Sequence, residues 1–226
     1  MTIRDNLQTI GERIHQAEQQ FERPVGSVQL LAVSKKQASL AIAEAYAAGQ
    51  RLFGENYAQE LSEKAQYLSD LAIEWHFIGP IQSNKTKLIA QTASWVHSVD
   101  NLKIAQRLNA QKPVDKPPIN ICMQVNISLE ASKSGLVLSE VLPLAQQIVA
   151  LPNLRLRGLM TIPAPIHDFA QQRAVFAQLR TLQQQLNQQG FDLDTLSMGM
   201  SDDMQAAIAE GATIVRIGTA IFGTRQ

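Results

Sequence analysis

A chain of 226 residues, 45% of them hydrophobic, can bury a substantial core as one larger α/β domain or as two small ones. Its 20 acidic and 20 basic side chains balance to a formal net charge of zero. That balance argues against a nucleic-acid surface, which needs a basic excess to neutralise phosphates. The one cysteine, Cys122, excludes an internal disulfide and a cysteine-based zinc site.

The predicted elements begin with a helix. Ile3, Leu7, Ile10, Ile14, Ala17 and Phe21 recur by fours and threes, an apolar stripe that predicts an amphipathic helix over residues 1–21, ended by Arg23-Pro24. The polar, charged start offers no apolar signal-peptide core, and no run reaches the roughly 18 apolar residues of a membrane span. The expectation is a cytoplasmic protein with no membrane partner. Asn126-Ile127-Ser128 matches a glycosylation acceptor, a match without meaning where no secretion signal exists.

From Val28 onward, short apolar runs alternate with helical patterns. The runs are Val28–Ser34, Arg51–Gly54, Ile73–Ile78, Trp95–Val99, Ile119–Asn126, Leu154–Met160, Leu193–Met198 and Thr213–Ile217. Between them lie helix candidates such as Ser39–Ala48, closed by Gly49, and Asp202–Glu210, closed by Gly211. Such alternation predicts a parallel sheet with right-handed crossovers. Eight strands favour closure into a (β/α)₈ barrel over an open doubly wound sheet. No helix is expected after the eighth strand, so the N-terminal helix is expected to cover the face left bare. The stretch from Lys112 to Pro118 has linker composition but falls inside the alternating series. It reads as a surface loop in one domain spanning residues 1–226. Cys122, in the run Ile119–Asn126, reads as a small buried hydrophobe.

In a barrel of this kind, function collects where strands end and loops begin. The first strand ends in Ser34-Lys35-Lys36. A lysine there has its stem in an apolar wall, where the neutral amine that attacks an aldehyde is favoured; both lysines could equally snorkel to solvent. The seventh strand leads into Gly199-Met200-Ser201-Asp202-Asp203 and the eighth into Gly218-Thr219. Glycines and hydroxyls in these two loops suit a phosphate. Ser201 could instead be an ordinary helix cap, and the two aspartates oppose an anion unless they face away. No Walker-type loop or GxGxxG occurs, so a nucleotide phosphate is not indicated.

Five segments in order make the pattern specific: Ala32-Val33-Ser34-Lys35, Phe53-Gly54-Glu55-Asn56-Tyr57, the run from His76 to Lys85, the run from Leu196 to Asp203, and Val215-Arg216-Ile217-Gly218-Thr219. Together they resemble the pyridoxal phosphate homeostasis protein family, whose barrel is related to the N-terminal domain of alanine racemase. The resemblance implies pyridoxal 5′-phosphate (PLP) as cofactor, with Lys35 in the place of the Schiff-base lysine and Lys36 at a variable position. It implies phosphate contacts at Ser201, Gly218 and Thr219, and an arginine, Arg216, facing the pyridine nitrogen. It places Asn56, His76 and Met200 around the cofactor; for His76, flanked by Trp75 and Phe77, a satisfied core histidine is the competing reading.

The resemblance also implies a non-catalytic role, buffering PLP and delivering it to apo-enzymes. The alternative is a small PLP-dependent racemase-like enzyme. Barrel-type racemases add a β-rich second domain that supplies a catalytic tyrosine, and only Ala220 to Gln226 follow the eighth strand here. A barrel with no arm or swap signal is expected to be a monomer.

Overall fold

The computed structural model describes residues 2–128 and 134–223. Eight parallel strands, β1 (Gln29–Val33), β2 (Leu52–Glu55), β3 (Glu74–Phe77), β4 (Trp95–Val99), β5 (Ile119–Gln124), β6 (Leu154–Met160), β7 (Thr195–Ser197) and β8 (Ile214–Ile217), close in sequence order into a barrel. The helices on the outside are α2 (Ser39–Ala47), α3 (Ala58–Tyr67), α4 (Thr86–Thr92), α5 (Leu102–Gln111), α6 (Leu138–Ile148), α7 (Phe169–Gln188) and α8 (Met204–Ala209). The (β/α)₈ architecture expected from the alternating runs is the one observed.

The opening helix, α1 (Ile3–Gln20), is started by a capping box in which Thr2 and Asp5 exchange side-chain and backbone hydrogen bonds. Its stripe buries Ile10, Ile14 and Ala17 against α2, α8 and a short terminal helix, α9 (Thr219–Phe222). That last turn corrects the expectation that no helix follows the eighth strand. Ile221 is buried, and its carbonyl accepts from the Asn6 side chain at 2.8 Å, so α1 and α9 cover the closing face together.

Most of the apolar core lies between strands and helices. Inside the barrel the filling is mixed. Leu31, Ile78 and Ile214 form one small cluster, and Trp95, Cys122 and Met160 another. Leu31 stands in register with Arg216, and Trp95 with His76, so buried polar side chains share the interior with them. Cys122 is fully buried and its thiol pKa is pushed up to about 12 by desolvation, as befits a core residue.

Close approach of β6 and β7 depends on Gly158. A Cβ there would stand 1.8 Å from the carbonyl oxygen of Thr195. Neither strand can yield without disturbing the ladder, so Gly158→Ala should destabilise the protein by about 3 kcal/mol, the upper range for overpacking. A urea melt giving an unchanged midpoint would contradict this.

Candidate cofactor-binding site

A cavity of about 540 Å³ opens at the C-terminal mouth of the barrel, within the usual range for small-molecule sites. The ends of β1, β2, β7 and β8 bring Lys35, Asn56, Met200, Ser201, Arg216, Gly218 and Thr219 to its wall. Val33, Ile78 and Ile162 add apolar surface. A larger cleft of about 650 Å³ sits at the opposite side, around Arg155, Arg157 and Phe191. There the Arg157 guanidinium is already held by Asp194 at 2.6 Å, so the mouth is the better ligand site.

Lys35 is half-buried and lines the cavity, whereas Lys36 is exposed and does not. Lys36 takes the left-handed backbone conformation, φ 60°, that ends the strand. Its N–H donates to Glu60 Oε1 at 2.6 Å. The same carboxylate accepts from Lys64 Nζ at 2.7 Å, and that ammonium also donates to the Ser34 carbonyl at 2.7 Å and to Glu55 Oε1 at 2.8 Å. Ser34 Oγ donates to the same Glu55 oxygen at 2.6 Å. A buried ion-paired clamp therefore fixes the turn that carries Lys35.

Glu55 is fully buried, and desolvation raises its pKa although Lys64 and Ser34 pull it down. Lys64→Met should remove about 3–5 kcal/mol of stability at neutral pH, because it strands that carboxylate. A group whose folded pKa is raised stabilises most when protonated, so the variant's deficit should shrink as pH falls through the raised pKa and be smallest once the ordinary glutamate range is reached. Denaturant melts at pH 7 and pH 4 check both the size and the sign.

Arg216 is buried in β8. One guanidinium nitrogen donates to Ser197 Oγ at 2.8 Å and another to the Thr161 carbonyl at 2.9 Å. Burial lowers its pKa to about 10, partly opposed by Asp203, so it stays cationic at neutral pH. In the β7 loop, Asp203 accepts the Met200 N–H at 2.6 Å and is itself the N-cap of α8. The helix thus starts at Met204, later than the sequence pattern suggests, and Ser201 does not cap it. Of the two aspartates, Asp203 is folded into its own loop and Asp202 reaches the cavity rim.

His76 is not brought to the cavity. The strand's alternation turns its ring into the barrel interior, below the mouth, where it is fully buried between Glu74 and His97. The mouth residue after β3 is Ile78. Ser197, His97 and Glu55, which shape the site from beneath or beside, were not singled out from the sequence; Ser197 and Glu55 fall within the matched segments, and His97 carried no signal there.

The residues fit a phosphorylated pyridine aldehyde. An amine, a donor-only cation and two hydroxyl- and glycine-bearing loops face one cavity, and a Cβ at Gly218 would meet the Val33 carbonyl at 3.1 Å. The N–H groups of Gly218 and Thr219 open α9 and by position lack intrahelical acceptors.

A barrel of the alanine racemase type is defined by sequence as well: the family model described as alanine racemase, N-terminal domain, matches residues 6–226. The pyridoxal phosphate homeostasis protein of Pseudomonas aeruginosa is 57% identical over 225 residues, covering 100% of this chain and 96% of its own. That of Escherichia coli K12 is 50% identical, covering 99% of this chain and 97% of its own. The PLP-bound structure of PipY from Synechococcus elongatus superimposes with a TM-score of 0.81 at 40% identity, over 93% of this chain and all of that one. The chain belongs to the pyridoxal phosphate homeostasis protein family.

Proposed function

We propose that the chain binds PLP at the barrel mouth, buffers it, and delivers it to PLP-dependent apo-enzymes, with no reaction of its own. The observation that carries this reading is the convergence of Lys35, Arg216 and the loops after β7 and β8 on one cavity. The relatives' shared name and the PLP in PipY support it.

When bound, the cofactor supplies an aldehyde carbon that amines attack. Lys35 holds that carbon. Ser201, Gly218 and Thr219 donate to the phosphate, and Asn56 and Met200 wall the pocket. Arg216 has only donors, so it offers the ring nitrogen a hydrogen bond and leaves it unprotonated. An unprotonated ring is a weaker electron sink than a pyridinium, which favours holding over carbanion chemistry.

Proton transfer at the substrate carbon of a racemase needs a positioned acid–base on the face opposite the lysine. Tyr57 and Tyr67 are exposed and away from the mouth cavity, and Tyr46 accepts the Ala72 N–H on the outside of the barrel. The protein acts as a cytoplasmic monomer in this reading; among the described residues no helix is long and apolar enough to cross a membrane.

Mixing the PLP-loaded protein with a PLP-dependent apo-enzyme should restore that enzyme's activity within hours. Incubation with L- and D-amino acids in deuterated water should give no turnover at the α-carbon. Deuterium uptake at the usual enzyme pace of about 1–1,000 per second would restore the racemase-like reading.

A further inference from the structure

The barrel interior holds a continuous polar chain whose far end lies well outside the cavity. Arg216 donates to Ser197 Oγ at 2.8 Å, and that oxygen stands 2.8 Å from His97 Nδ1. His97 Nε2 is 2.9 Å from His76 Nδ1, and His76 Nε2 is 3.0 Å from Glu74 Oε1. Ser197, His97 and His76 are fully buried. Glu74, the first residue of β3, is 45% exposed at the rim opposite the mouth.

Valence fixes the direction of every bond. Arginine has no acceptor, so Ser197 accepts from it. The Glu74 carboxylate takes the one hydrogen of neutral His76 at Nε2, so His76 Nδ1 accepts from His97 Nε2. His97 Nδ1 is left an acceptor, and the serine's hydrogen goes to it. A neutral imidazole that accepts at Nδ1 carries its hydrogen on Nε2, and His97 donates it to His76 Nδ1. His76 in turn donates from Nε2 to the Glu74 carboxylate. Burial holds both imidazoles below the usual histidine range, His97 well below, so both are neutral at pH 7. The bond from His76 holds Glu74 below the ordinary carboxylate range. His76 is stacked on Trp95, centroids 5.6 Å apart and 4° from parallel, and Arg157 lies over the same indole at 4.9 Å. The charged groups facing the chain from neighbouring strands and loops are Asp203 near Arg216 and Arg157, with its partner Asp194, near Glu74.

We propose that this chain couples the Glu74 carboxylate to the Arg216 guanidinium, so that Glu74 is a positioning residue for a ligand at the other end of the barrel. Aligned hydrogen bonds in a low-dielectric interior polarise one another. A carboxylate at one end and a guanidinium at the other make every dipole between them point the same way. The chain thereby fixes which guanidinium edge is left to face the cavity and supports its charge from a distance. The cavity end of this coupling rests on the cofactor reading above; the order of donors does not.

Two measurements test it separately. In the PLP-free protein, ¹⁵N spectra at pH 7 should show His76 and His97 as neutral Nε2–H tautomers. An Nδ1–H tautomer or a charged ring at either position overturns the chain. In the loaded protein, Glu74→Gln keeps an acceptor but removes the charge, and Ser197→Ala cuts the chain beside Arg216. Each should raise the Kd for PLP on the order of 2- to 30-fold and move the pH midpoint of the bound cofactor's visible band in a common direction. Glu74→Asp should return both towards the parent values. A PLP analogue lacking the ring nitrogen should bind the parent and Glu74→Gln equally, since Arg216 has nothing there to meet. Unchanged Kd and midpoint in Glu74→Gln, or equal losses with PLP and the analogue, would overturn the coupling. Failure of the parent protein to bind PLP would sink the cofactor reading and the coupling together, while the tautomers still decide the chain.

Discussion

Replacing Lys35 with alanine should abolish the adduct that borohydride fixes between the chain and PLP, while Lys36→Ala should leave it intact. The two lysines are neighbours in sequence and differ in every structural respect that matters. Lys35 is half-buried on the cavity wall. Lys36 is exposed, in a left-handed turn whose N–H is tied to Glu60. Bringing Lys36 to the cavity would require undoing that turn and the Lys64 clamp behind it. Some PLP should persist without a covalent link in Lys35→Ala, because that substitution leaves the proposed phosphate and ring contacts untouched. Peptide mapping after reduction reads the result; an adduct surviving in Lys35→Ala and lost in Lys36→Ala would move the assignment by one residue.

The second large effect should come from the phosphate. Hydrogen bonds to a charged group contribute about 1.5–3 kcal/mol each, so two or three donors from Ser201, Gly218 and Thr219 should make PLP bind at least on the order of a hundredfold more tightly than pyridoxal. Gly218→Val should erase most of that difference. A single Cβ at this position already meets the Val33 carbonyl at 3.1 Å and the Val33 Cβ at 3.3 Å. The further methyls should then crowd the mouth cavity that Gly218 lines, where the proposed phosphate site lies. Thr219→Ser keeps the hydroxyl and should alter affinity only slightly. Titration of PLP and pyridoxal into both variants checks the order; equal affinities for the two ligands in the parent protein would remove the anion site.

The barrel was legible because each strand is a short apolar run closed by a turn, and the alternation with helices survives small errors at the ends. The errors have causes. The apolar run predicts a second strand over Arg51–Gly54, and the strand spans Leu52–Glu55. The strand runs on through Glu55, which is buried together with Lys64 from the next helix. The sequence pattern starts α8 too early because the Asp203 carboxylate stitches the preceding turn to the Met200 N–H, a bond that composition does not announce. The sequence puts His76 on β3, as observed, but not at its depth, below the mouth cavity. Alternation says which way a side chain points, in or out of the barrel; it does not say how far below the mouth the side chain lies. Of its two hydrogen-bond partners, Glu74 lies two residues earlier on the same strand, while His97 comes from the neighbouring strand β4, a meeting that no spacing in the chain announces.

The register of β1 against β8 has a consequence for how the protein is made. Leu31 pairs with Arg216 and Ala32 with Ile217, so the lysine at the end of the first strand and the arginine of the last are set in place by one ladder. That ladder joins opposite ends of the chain, the pairing with the greatest loop-closure entropy to overcome. The mouth cavity straddles this seam, with Asn56 from β2 on one side and Ser201 from the β7 loop on the other. A nascent chain that has not yet emitted its eighth strand has no site to offer, and PLP cannot template the earlier steps of folding. Once closure has occurred, a ligand held from both sides of the seam stabilises the closed form by mass action, and the cofactor becomes the last fastener of the ring.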